Sequence, residues 1–163
     1  MLTVVIPTQD SAHLIGACLA SLVPAAVDGL VREVVLADGG STDDTLAIAE
    51  DCGARVVARR GDVGERLAAA CVGPRGDWLL ILRADAVLPE GWRAAVERQL
   101  NGGWDRAAWL PRPGLPWFQR LPAPPSQGLL LSVRRYDAIG GFRAGEGDLA
   151  RLTRAVGAKR IAY

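Results

Sequence analysis

Three short polar clusters hold the residues best suited to chemistry in the first part of the chain: "PTQD" at 7–10, "DGGSTDD" at 38–44 and "RAD" at 83–85. Asp38 could accept hydrogen bonds from a nucleobase or a ribose. Gly39 and Gly40 would let backbone approach a ligand, and the helix start that follows offers amide groups. Asp85 could ligate a hard cation through oxygen. Each cluster also has a local reading. Asp38 can shape a turn, Ser41 and Thr42 can cap a helix, and Asp43 and Asp44 can favour its dipole. Arg83 stands two residues before Asp85, where a metal site would want a second acid. It could bind a phosphate directly, pair with Asp85, or point away. Alternate residues of a strand share a side, which favours the phosphate reading, with reduced dependence on metal.

The elements needed to position these clusters follow from the hydrophobic pattern. "LTVVIP", "VREVVLA", "ARVVAR" and "DWLLIL" read as strands. "SAHLIGACLASLV", "STDDTLAIAEDCG", "GERLAAACVG" and "PEGWRAAVERQLNGG" read as helices. Ser11 is the expected N-cap of the first helix, Gly53 ends the second, and Pro89 lies near the start of the fourth. Strand and helix alternate over about 100 residues, which predicts an α/β sandwich with a mostly parallel sheet. Ligands of such sheets bind beyond the carboxyl ends of the strands, and all three clusters fall there. After Gly103 the rhythm breaks. Three of the five tryptophans and six of the ten prolines crowd the next stretch, which reads as one short strand ("AAWLP") and a long loop. "GLLLSVRR" reads as a further strand, "RYDAIGGF" as a short helix and turn, and "EGDLARLTRAVG" as a last helix.

A chain of 163 residues is one domain by length. Its net charge of +1 hides an asymmetry. Residues 1–54 carry eight acids and one base, whereas the rest carries eighteen bases and ten acids. A basic second half could face a phosphate or a membrane surface, or simply be solvated. Cys18, Cys52 and Cys71 show no metal spacing and read as buried free thiols of a reducing compartment. The N-terminus lacks the pattern of a signal peptide. No run reaches the roughly 18 apolar residues of a membrane span. His13, the one histidine, reads as structural or surface.

"VVIPTQDSAHLIGACLASL", "EVVLADGGSTDDTLAIAE" and "RGDWLLILRADAVLPEGW" together resemble the nucleotide-sugar half of family 2 glycosyltransferases, in the small bacterial branch with a DGGSTD motif. "QGLLLSVRRYDAIGGF" followed by "GEGDLARLTRAVG" is similar to their acceptor side. The resemblance covers nearly the whole chain. It implies a GT-A fold: a Rossmann-like three-layer α/β sandwich, residues 1–103 forming the nucleotide-sugar-binding half and 104–163 the acceptor-side half of a single domain. It also implies transfer of a sugar from a nucleotide diphosphate to an acceptor hydroxyl on a glycan, lipid or small molecule, with inversion and a divalent metal (Mn or Mg). Pro7, Thr8, Asp10, Asp38, Gly39, Arg83 and Asp85 then fall at the donor, with Asp85 as the metal ligand. Glu146 and Asp148 fall at the catalytic base motif, Glu146 on the base position itself. Arg83 replaces the first acid of the family's Asp-x-Asp pair, and Gly145 replaces another acid. These two departures support an alternative: a non-catalytic relative that only binds a nucleotide or sugar.

Other classes fit less well. A nucleotidyltransferase would want a Gly-rich basic loop after the first strand, and "PTQDSAH" has neither feature. No nucleic-acid partner is expected. The expected location is the cytoplasm, with possible peripheral contact at the inner face of the membrane through Trp109, Trp117 and Phe118 among Arg106, Arg112 and Arg120.

Overall fold

The central strands are near-continuous apolar runs, and the alternating direction of their side chains supplies a core on each face of one sheet. In β1 (Leu2–Thr8), Val4 and Ile6 join Ile15, Cys18 and Leu22 of α1 (Ala12–Val27) on one face, while Val5 joins the opposite core. The computed structural model describes residues 1–102, 105–112, 126–145 and 153–161.

The remaining elements are β2 (Val31–Asp38), α2 (Thr45–Asp51), β3 (Arg55–Ala58), α3 (Val63–Ala70), β4 (Trp78–Leu82), α4 (Trp92–Asn101), β5 (Ala108–Pro111), β6 (Ser126–Ser132), α5 (Val133–Ala138) and β7 (Lys159–Arg160). The sheet runs β3-β2-β1-β4-β6-β5-β7. β1 pairs in parallel with β2 and β4, and β2 with β3. β6 is antiparallel to both β4 and β5, while β7 is parallel to β5. Helices α1 and α4 cover one face and α3 and α5 the other. This is the expected three-layer sandwich with a mostly parallel sheet.

Several local expectations change. α1 continues through Pro24 to Val27, beyond the end of the "SAHLIGACLASLV" pattern. Its buried face (Ile15, Cys18, Leu19, Leu22, Ala25) keeps helical spacing on both sides of that residue. The Ser11 side chain does not cap α1; its hydroxyl bonds back to Gln9. α4 begins at Trp92, after a left-handed Gly91 (φ 87°), three residues later than Pro89 suggested. The strand expected across 128–135 ends at Ser132, whose Oγ accepts the Arg135 N–H at 3.0 Å and caps α5. Cys18 and Cys71 are buried as expected, but Cys52 is exposed. β7, two residues long, carries no sequence signal of its own. Of the last expected helix, residues 153–155 are helical, and the part before them lies outside the described residues. No described helix is long and apolar enough to cross a membrane.

Candidate functional site

The parallel strands β3, β2, β1 and β4 all end on one edge of the sheet, so the loops after Thr8, Asp38 and Leu82 are neighbours there. Strand spacing puts the loop after β2 about 10 Å from that after β4, with the loop after β1 between them.

The first two loops are laced together by side chains. Thr8 is buried and donates its hydroxyl to Asp38 Oδ1 at 3.0 Å. Asp38 Oδ1 also accepts the Ser41 hydroxyl at 2.5 Å. Asp38 Oδ2 accepts the backbone N–H groups of Gly40 at 2.8 Å and Ser41 at 2.9 Å. The side chain is fully buried and both oxygens are engaged. Burial alone would push the Asp38 carboxyl up, but these four donors outweigh it and hold the group below the usual carboxylate range. In this arrangement Asp38 works as the holder of its loop.

Asp10 does the reciprocal work. Its Oδ1 accepts the Thr42 N–H at 2.8 Å and the Thr42 hydroxyl at 3.2 Å, and its own N–H donates to Ser41 Oγ at 2.9 Å. The residue sits at φ 45°, a left-handed conformation uncommon outside glycine, which these bonds sustain. Asp43, read as a dipole partner of its own helix, instead reaches across to α1: its Oδ2 accepts the Ala12 N–H at 2.9 Å. Its Oδ1 accepts the Thr45 hydroxyl at 2.5 Å. Pro7 lies half-buried on β1, in register with Ala37.

Arg66 is the residue that sequence reasoning passed over. On an amphipathic helix an arginine reads as solvated, yet Arg66 is only 5% exposed. Its Nη1 donates to the Thr8 carbonyl at 2.9 Å, and its Nε has no hydrogen-bond partner. A Cβ on Gly39 would meet Arg66 Nη1 at 2.0 Å, so a larger residue there would have to push that guanidinium aside, and the glycine acts through close approach rather than through its φ. A buried cation therefore floors the first two loops. The signal for it was the proximity of "DGG" to this helix, which only the fold reveals.

At the third loop, Arg83 and Asp85 lie beyond the end of β4 at Leu82, so strand alternation does not govern them. They pair with each other: Arg83 Nε donates to Asp85 Oδ1 at 2.9 Å. The second oxygen, Oδ2, accepts a bond from Arg112 Nη2, a contact that sequence spacing gave no reason to expect. Burial pushes the Asp85 carboxyl up, and the two guanidinium groups more than reverse it, holding Asp85 below the usual range. Cys18 lies beneath, its thiol 3.7 Å from the Arg83 carbonyl, and burial pushes that thiol up to about 12.

Glu146 and Asp148 lie outside the described residues. The backbone N–H of the residue before them, Gly145, helps hold the carboxyl of Asp62, at the start of α3 and on the same edge as the three loops, below the usual range. Trp117, Phe118 and Arg120 also lie outside the described residues, whereas Trp109 is half-buried within β5. His13 is exposed on α1, as expected.

An α/β sheet whose parallel strands deliver three polar loops to one edge, extended by an antiparallel strand, is the architecture of GT-A nucleotide-sugar transferases. The family model for glycosyl transferase family 2 matches residues 3–114, and the chain belongs to that family. It is 38% identical over 97 residues to glucosyl-3-phosphoglycerate synthase of Mycolicibacterium paratuberculosis, a match covering 54% of this chain and 29% of that protein. It is 36% identical to a PGL/p-HBAD biosynthesis glycosyltransferase of Mycobacterium bovis, covering 55% of this chain and 37% of that one. Among solved structures, Mycobacterium tuberculosis glucosyl-3-phosphoglycerate synthase superposes with a TM-score of 0.70 at 25% identity, covering all of this chain and 72% of that one. A structure of the same enzyme with Mn2+, UDP-glucose and phosphoglyceric acid gives a TM-score of 0.69 at 25% identity, covering 98% of this chain and 69% of that one.

The divalent ion of that complex is the cofactor the family implies. What the described residues here offer to one is Asp85, with both oxygens already in ion pairs. No group of three or more His, Cys, Asp or Glu side chains that could hold a metal occurs among the described residues.

Proposed function

We propose that this chain is the donor-binding domain of a glycosyltransferase that moves a sugar from a nucleotide-diphosphate sugar to an acceptor hydroxyl. The observation that carries this reading is the convergence of "PTQD", "DGGSTDD" and "RAD" on one sheet edge, inside the stretch matched to the family. The nucleoside lies against the laced loops after β1 and β2. Asp38 serves it by holding the amides of Gly40 and Ser41 in place, and Asp10, Thr8 and Gly39 keep that loop close to β1. The diphosphate lies toward Asp85, whose carboxylate orients Arg83 and Arg112.

During transfer the acceptor oxygen bonds to the anomeric carbon as the bond from that carbon to the phosphate oxygen breaks. The nucleoside diphosphate leaves, and the acceptor proton passes to Glu146 or Asp148. The leaving diphosphate needs fixed positive charge, which the guanidinium groups at this edge supply. Relatives that act on phosphoglycerate support a small anionic acceptor alongside a glycan or lipid one. We assign the acceptor, and with it peripheral membrane contact from the cytoplasmic side, to residues 104–163.

A thermal-shift panel of nucleotide sugars, with and without Mn2+, followed by assay of donor hydrolysis and transfer, tests the reading. Stabilisation by one nucleotide sugar together with release of its nucleoside diphosphate is expected. Absence of stabilisation by every member overturns it. Stabilisation without turnover supports the binding-only alternative that Arg83 and Gly145 suggest.

A further inference from the structure

Arg112 was read from sequence as part of an aromatic and basic surface, but the sheet brings it to the donor edge. β6 runs antiparallel between β4 and β5, so β5 points the same way as β4 and its last residue, Pro111, ends beside the "RAD" loop. One buried residue fixes both arms. The Gln127 carbonyl accepts the Arg83 N–H at 3.0 Å, and its side-chain Nε2 donates to the Pro111 carbonyl at 3.0 Å, one residue before Arg112. Gln127 is 1% exposed, so this bridge is part of the core and not a surface accident.

The charges at this place do not balance. Two guanidinium groups meet one carboxylate, leaving one net positive charge. Each guanidinium has five N–H donors, while a carboxylate accepts about four hydrogen bonds in all. The side chains of Arg83 and Arg112 are 55% and 38% exposed, so their remaining donors face an open edge. Planar forks of this kind match the paired oxygens of a phosphate. A divalent ion at Asp85, by contrast, would have to stand beside two cations that already pair with that carboxylate.

We propose that Arg83 and Arg112, oriented by Asp85 and Gln127, form a two-arginine clamp that binds the donor's diphosphate directly, so that a nucleoside diphosphate binds this protein without a divalent ion. This rests on the donor-binding function above and adds its charge mechanism.

Calorimetry with UDP, GDP, ADP and dTDP, each in EDTA and in Mn2+, tests it on the full chain and on Arg112→Ala, Arg83→Ala and Arg83→Asp. For whichever nucleotide binds, the wild-type Kd is expected to change less than about threefold on removing Mn2+, and each alanine variant to weaken binding in EDTA by about tenfold to a hundredfold, the scale of one charge-assisted contact. Arg83→Asp, which recreates a pair of acids, is expected to bind only with Mn2+. Both arginine side chains are partly exposed, so the variants are expected to fold, and their unfolding midpoints verify it. Binding by wild type only in Mn2+ overturns the clamp while leaving the donor-binding function intact, as does unchanged binding in EDTA by both alanine variants. Failure of all four nucleotides under both conditions overturns the function and the clamp together.

Discussion

Replacing Asp38 by alanine separates a loop-holding carboxylate from a ligand-binding one. Four donors converge on its two oxygens: the hydroxyls of Thr8 and Ser41 and the amides of Gly40 and Ser41. In Asp38→Ala the buried Thr8 hydroxyl loses its acceptor, while the amides of exposed Gly40 and half-buried Ser41 recover water in part. Those losses come to about 2–5 kcal/mol, because bonds to a charged acceptor contribute more than neutral ones and are not additive. For a domain of this size the unfolding temperature should fall by about 5–20 °C. Asp38→Asn can keep its oxygen on the two amides and turn its NH2 toward the two hydroxyls, which rotate to accept; its loss should be about 1–2 kcal/mol. Urea denaturation followed by circular dichroism measures both variants. If Asp38→Ala unfolds at the wild-type urea concentration and only nucleotide affinity drops, the four bonds hold nothing and Asp38 is a ligand group after all.

Acid should unfold the protein through the same kind of carboxylate. Asp38 and Glu33 titrate below their ordinary values of 3.8 and 4.5, so their contribution is complete above those values and is lost as pH falls through the lower native ones; a stability profile below pH 4 should be shallower in Asp38→Asn, and an identical slope would contradict the assignment. Thiol titration of native protein should give one fast cysteine of three: Cys52 is exposed, while burial pushes Cys18 and Cys71 up to about 12. A second or third fast thiol without denaturant would mean an open core. Gly76→Ala should lower the soluble yield sharply, because its Cβ would meet the backbone of Met1 and Leu2 at 2.6 Å and cannot be relieved by a side-chain shift; wild-type yield and melting temperature would show that β1 can move.

The parts of the site that sequence revealed are those built from contiguous residues. "PTQD", "DGGS" and "RAD" each follow an apolar strand, and the strand-helix alternation was enough to put them on one edge. What it could not reveal depends on the direction of later strands. Arg112 reaches Asp85 because β6 reverses the chain between β4 and β5, and nothing in "GLLLSVRR" states the sense of the strand. Arg66 was hidden for a different reason: an arginine on a short helix looks solvated unless the loop above it is known to be glycine. Asp43 illustrates a third limit, since its position before α2 suggested a local role, but its oxygen serves the start of α1. The quoted pattern of the first helix ends at Val23, but α1 runs on through Pro24, because burial of α1 on both sides of the proline outweighs the one lost backbone bond.

The order of the sheet also bears on how the protein meets other chains. A sheet margin with unpaired backbone groups is a template for adding a foreign strand, and long apolar margins promote aggregation. Here the outer strands of the described sheet are β3, with four residues, and β7, with two. Arg55 begins β3 and is paired to Glu33, and Lys159 and Arg160, both exposed, make up β7. Both margins are short and offer little register, and the cationic β7 repels a second copy of itself. The longer, apolar strands, β1 and β4, are flanked on both sides and unavailable. Assembly by β-augmentation is thereby disfavoured, and a partner or neighbouring domain has helices and loops on which to dock.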